Sequence, residues 1–137
     1  MSLKSRLGRL SILSVHPFAK ARSLVNNFAP SFLQITTAAG SREEADRIAT
    51  TLVDRGLAAC VQIVGPIRSV YRWQGKIEHG EEWLCQIKTT REQYAAVEAA
   101  ILELHSYDCP EIIAMPIVAG SAAYLKWLTG NVGGAAN

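Results

Sequence analysis

The stretch Gly56–Ile77, GLAACVQIVGPIRSVYRWQGKI, constrains this chain more than any other. Gly56 follows a helical pattern and reads as its left-handed stop. Ala59–Val64 is apolar, rich in β-branched residues and too short for a helix with its own caps, so it reads as a buried strand. Gly65-Pro66 predicts a bend, with pairing resumed over Ile67–Trp73. Gln74-Gly75 is a tight-turn pair that returns the chain along Lys76–Glu78. A strand this long outruns what a small domain covers. Its far end, Tyr71-Arg72-Trp73, is expected to stand out as an aromatic and cationic arm. Such an arm needs a partner surface, and the chain is read as an oligomer.

The flanking segments supply the rest of a fold. Ser31–Thr37 alternates as a strand, with Leu33 and Ile35 on one face and Gln34 and Thr36 on the other. Ser41-x-x-Glu44 reads as a capping box opening a helix, with a core stripe of Ala45, Ile48, Ala49, Leu52 and Val53. Glu78–Glu81 is polar, and Gly80 predicts a bulge or turn. Glu82–Thr89 returns to strand, placing Trp83, Cys85 and Ile87 on one face. Thr90-x-x-Gln93 reads as a second capping box, before a helix carrying Tyr94, Val97, Ile101 and Leu104. Pro110 bars helix beyond Cys109. Ile112–Val118 reads as a strand, with Pro116 at an edge or bulge, and Ser121–Leu128 as a short helix. Strand, helix, strand, strand, helix, strand with right-handed crossovers gives an α+β, ferredoxin-like βαββαβ sandwich. It carries an extended hairpin and a short C-terminal helix.

At 137 residues, with 49% hydrophobic residues, one domain with an ample core is expected. Residues 1–30 carry Lys4, Arg6, Arg9, Lys20 and Arg22 and no acidic residue. They read as a basic, disordered leader that folding does not need. The domain is expected over 31–130, with a disordered tail over 131–137. The remainder holds nine basic against twelve acidic residues, which disfavours a nucleic-acid partner. No apolar run reaches the ~18 residues of a membrane span. Cys60, Cys85 and Cys109 are an odd number without a C-x-x-C, which speaks against a disulfide framework and a zinc ribbon and for a reducing cytoplasm. Cys60 and Cys85 read as core residues.

The ordered blocks LAACV, YRWQGKI, IKTT, YDCPEI and YLKWL resemble the CutA family of divalent-ion tolerance proteins over about Phe32–Leu128. The resemblance implies a tight homotrimer with a role in divalent-cation tolerance and copper binding as the usual suggestion. The family's trimer is similar to that of PII signalling proteins, so a sensor or adaptor binding a small effector between subunits is the near alternative.

Chemistry-bearing residues are sparse. No nucleophile motif, Walker loop or dinucleotide fingerprint is present, so no enzyme activity and no required cofactor are expected. His105 and Cys109, four residues apart, are the candidate metal ligands, for Cu(II) or another divalent cation held weakly. His105 ends a helix, where a protonated imidazole would be favoured. Family members proposed to bind copper carry a first-strand Cys and adjacent histidines; Thr36 and Leu104 stand at those places here. Tyr71, Trp73, Lys88, Tyr107, Glu111 and Trp127 are expected either to pack an interface or to line an intersubunit cleft. There Lys88 and Glu111 would converge on a small polar ligand. Two rivals share the architecture. An RNA-binding module would need paired aromatics in a basic strand, absent around Gln86–Lys88. An acyl-phosphate hydrolase would need an anion cradle, for which Thr37–Ser41 is the candidate.

Overall fold

Phe32–Ala39 (β1) runs through the middle of the sheet, and the other elements are arranged around it. This computed structural model describes residues 30–134; the leader, apart from Pro30, and positions 135–137 lie outside the described residues. After β1 come Arg42–Asp54 (α1), Cys60–Trp73 (β2), Lys76–Thr90 (β3), a 3-10 turn at Arg91–Gln93, Tyr94–Leu104 (α2), Ile113–Pro116 (β4) and Ala122–Gly130 (α3). The four strands form one antiparallel sheet in the order β2-β3-β1-β4. That is the ferredoxin-like α+β order with an added C-terminal helix.

Alternation decides where the core sits. Leu33, Ile35 and Ala39 of β1 and Cys85 and Ile87 of β3 face the helices. They meet Ala45, Ile48 and Leu52 of α1 and Val97, Ala100 and Ile101 of α2. Each fully buried aliphatic side chain among them contributes roughly 1.5–3 kcal/mol. Val53, expected in that stripe, is 44% exposed; it lines an open surface groove between α1 and Val61 of β2. Cys60 is not a core residue either. It lies opposite Lys88 on the other side of the sheet, half-buried, with its Sγ 3.4 Å from Tyr124 Oη of α3.

Helix ends follow local chemistry only in part. The Ser41 Oγ accepts from the Glu44 N–H at 3.1 Å, as expected of an N-cap. The Glu44 carboxylate does not turn back to close the box; it accepts from the Ser106 N–H and Oγ at 2.6 and 2.9 Å. At the other end Gly56 has φ +69°, its N–H bonds to Val53 O, and the Leu57 N–H bonds to Leu52 O at 2.9 Å. That pattern needs the left-handed conformation glycine supplies. The second box is not formed: Thr90 makes no side-chain cap, and the 3-10 turn intervenes before α2.

The hairpin is longer and more regular than expected. Gln74 and Gly75 both have positive φ, 48° and 78°, as a two-residue turn requires. Pairing runs without a break at Gly80, which lies opposite Ser69, so the predicted bulge there is absent. The register shift falls between Val64 and Ile67 instead. At that step the Trp83 ring sits over Gly65, where a Cβ would overlap it. β1 reaches only as far as Trp83 along β3, so Lys76–Glu82 is paired on one side alone. The last described residues dock rather than trail off. Within positions 131–134, where a disordered tail is expected, the Gly133 N–H bonds to Gly56 O at 2.9 Å.

Candidate functional site

The loop after α2 is the piece that builds a site, and two buried carboxylates position it. Glu44, carried on the first turn of α1, holds the Ser106 backbone. His105 then turns inward. Its Nε2 lies 2.8 Å from Ala38 O, so that nitrogen carries the proton, and its Nδ1 accepts from the Tyr107 N–H at 3.1 Å. The same Nδ1 is 3.4 Å from a Glu44 oxygen. The Tyr107 ring packs on the imidazole at a centroid distance of 4.7 Å. Its hydroxyl donates to Glu82 Oε2 of β3 at 3.1 Å. Burial first, then the Glu82 charge and hydrogen bond, push the Tyr107 phenol from its ordinary 10.0 up to about 12, so it stays a donor. The phenol also closes over Gly40, where a Cβ would lie 2.7 Å from its oxygen. The space over the start of α1 is thus filled by a side chain of the protein itself, against the anion-cradle reading.

Beyond Tyr107 a cavity of about 300 Å³ opens at the base of the hairpin. Tyr71, Ser69 and Ile67 of β2 form one wall, Glu82 and Leu84 of β3 the floor, and Tyr107 and Glu111 the rim. Three of the residues singled out in the sequence, Tyr71, Tyr107 and Glu111, therefore meet at one cavity. The others do not join them within the subunit. Lys88 lies about 14 Å from Leu84 along β3, at ~3.4 Å per residue, and its Nζ donates to Gln62 Oε1 at 2.6 Å. Within one subunit it therefore lies away from Glu111. Trp73 flanks the turn opposite Lys76. Trp127 is exposed on α3, tilted against Tyr124 at 5.7 Å, near the Cys60 end of β2.

His105 is not exposed at the end of α2. It is buried, and both ring nitrogens are engaged. Among the described residues no group of three or more His, Cys, Asp or Glu side chains is placed to hold a metal ion. Cys109 is a half-buried free thiol. Glu82 was missed by sequence reasoning. Its signal is its place one step before Trp83 in a strand whose Trp83, Cys85 and Ile87 face the core: alternation puts Glu82 with Leu84 on the other face.

The fold and the cavity together define a ferredoxin-like subunit with an overlong hairpin and an acidic, tyrosine-walled pocket at its base. Residues 33–131 match the family described as CutA1 divalent ion tolerance protein, and the chain belongs to that family. It is 44% identical over 93 residues to the divalent-cation tolerance protein CutA of Thermus thermophilus, covering 68% of this chain and 90% of that one. It is 37% identical over 130 residues to the chloroplastic protein CutA 1 of Oryza sativa, covering 88% and 73%. The solved periplasmic divalent cation tolerance protein CutA of Archaeoglobus fulgidus superposes with a TM-score of 0.71 at 41% identity, over 73% of this chain and 97% of that one. Among the described residues no helix is long and apolar enough to cross a membrane.

Proposed function

We propose that this protein works as a self-associated trimer in divalent-cation tolerance, as a binding protein without catalytic chemistry, with the hairpin-base pocket as its effector site. The observation that carries self-association is the unpartnered hairpin. Its outer face exposes Val70 at 59% and Ile77 at 62%, and the edge strand β4 exposes Ile113 and Met115. Apolar side chains beside open strand edges are surfaces that a second copy covers. The three free cysteines support a reducing compartment such as the cytoplasm. A copper ion at His105 would have to displace the Tyr107 N–H from Nδ1 or the Ala38 carbonyl from Nε2, and no further ligating group is placed beside the ring among the described residues, so no copper site is assigned there. Sedimentation velocity at micromolar concentration is expected to show a trimer, and a folded monomer there overturns the assembly. Fractionation of the native host tests the compartment.

A further inference from the structure

We propose that the hairpin-base pocket takes an organic cation: an ammonium or guanidinium group on an aliphatic stem. The proposal deepens the effector reading above and rests on it.

Glu82 carries the argument. It is only 8% exposed, yet its one hydrogen bond comes from a neutral phenol, Tyr107, at 3.1 Å. No ion pair reaches it among the described residues. A buried carboxylate is costly unless a positive partner compensates it. Glu111 adds a second negative charge at the rim, and among the described residues no basic side chain lines the cavity. An anionic ligand would meet two carboxylates and no counter-charge.

The walls decide what kind of cation fits. Ca2+ or Mg2+ asks for about six or more oxygens and Zn2+ or Cu2+ for about four convergent ligands, and among the described residues no three His, Cys, Asp or Glu side chains converge to hold a metal ion. The cavity, about 300 Å³, is at the small end of organic-ligand pockets. Ile67 and Leu84 give it an aliphatic lining for a carbon stem, and Tyr71 adds an aromatic ring, a group that attracts positive charge. Tyr107 donates its proton to Glu82, which leaves its oxygen free to accept a ligand N–H.

Two sources carry that chemistry: a free amine or guanidine, and an arginine of a second copy, for which Arg72 near the exposed hairpin tip is the candidate. The full-length protein is titrated by calorimetry with n-butylammonium and n-butylguanidinium, with sodium pentanoate and magnesium chloride as controls. The expected result is saturable binding of a cationic probe, weakened tenfold or more in Glu82→Gln and weakened in Glu111→Gln. Glu111 is exposed, so its variant keeps the test valid even where Glu82→Gln fails to fold. If a second copy supplies the cation, the probes find no site. In that arm Glu82→Gln and Arg72→Gln each weaken association tenfold or more by sedimentation equilibrium, and the double variant is no worse than either. Binding of pentanoate or magnesium instead, or no effect in both assays, overturns the proposal. A folded monomer that still binds butylammonium through Glu82 overturns the trimer and leaves the ligand class standing.

Discussion

Replacing Glu44 by alanine removes the tie between the first turn of α1 and the loop that carries Tyr107. Two hydrogen bonds to a charged group are lost, at 2.6 and 2.9 Å, from a carboxylate that is almost wholly buried. Hydrogen bonds to charged groups contribute ~1.5–3 kcal/mol each, so the pair sums to about 3–6 kcal/mol. Ser106 is exposed, and water can reach the freed donors, which reduces the expected loss to roughly 2–4 kcal/mol. Glu44→Gln keeps the size and one acceptor oxygen and should lose about half as much. The measurement is urea unfolding at fixed protein concentration, because the stability of an oligomer depends on concentration. Ser106→Ala and the double variant complete a cycle that isolates the Oγ contact. A loss below about 1 kcal/mol for Glu44→Ala, in the range of ordinary surface changes, would refute the tie. Equal losses for Ala and Gln would show that the acceptors do not matter.

Cys85 and Tyr107 are two of the neutral groups that contribute to alkaline stability. Burial, then Asp46 and Glu44, push the Cys85 thiol from 9.0 to about 11, and Tyr107 is pushed to about 12. Both folded values lie above the unfolded ones, so the stabilisation is complete below about pH 9 and is lost as pH rises through about 9–12. Tyr107→Phe should remove the upper part of that loss in a pH series of unfolding curves. Gly65→Ala drives a methyl into the Trp83 ring and should cost ~1–3 kcal/mol, the usual range for overpacking, with a change in tryptophan emission. A native-state thiol reagent should modify Cys60 and Cys109 while sparing Cys85, which is fully buried and held protonated. Peptide mapping that finds Cys85 labelled at the same rate would contradict its placement.

Much of the fold is legible locally. The period-two pattern of Leu33 and Ile35, the 3.6-residue pattern of Ile48 and Leu52, and the Gln74-Gly75 turn each act within a few residues, and each matches the structure. What fails is decided by distant partners. Glu44 satisfies the capping-box spacing, and nothing nearby reveals that Ser106 offers two donors instead. His105 has the position of a solvated helix end, but the carbonyl of Ala38 draws it inward. Lys88 and Glu111 are expected to converge between subunits; within one subunit Lys88 binds Gln62 while Glu111 lines the hairpin-base cavity. Glu82 sits at the end of a polar run, and its contact with Tyr107, 25 residues on, is not visible locally. The loop after α2 is therefore both the hardest part to read and the part on which the site depends.

The Tyr107 phenol serves two neighbours at once: it covers Gly40 and braces Glu82. Position 40 therefore has no independent freedom to vary. A side chain there displaces the tyrosine, and the displaced ring no longer holds the buried carboxylate. A change at the mouth of one helix is thereby converted into a change of pocket polarity at the foot of the hairpin. Variation at the two positions is coupled, and a library that diversifies Gly40 alone will mostly sample altered ligand sites rather than altered helix starts.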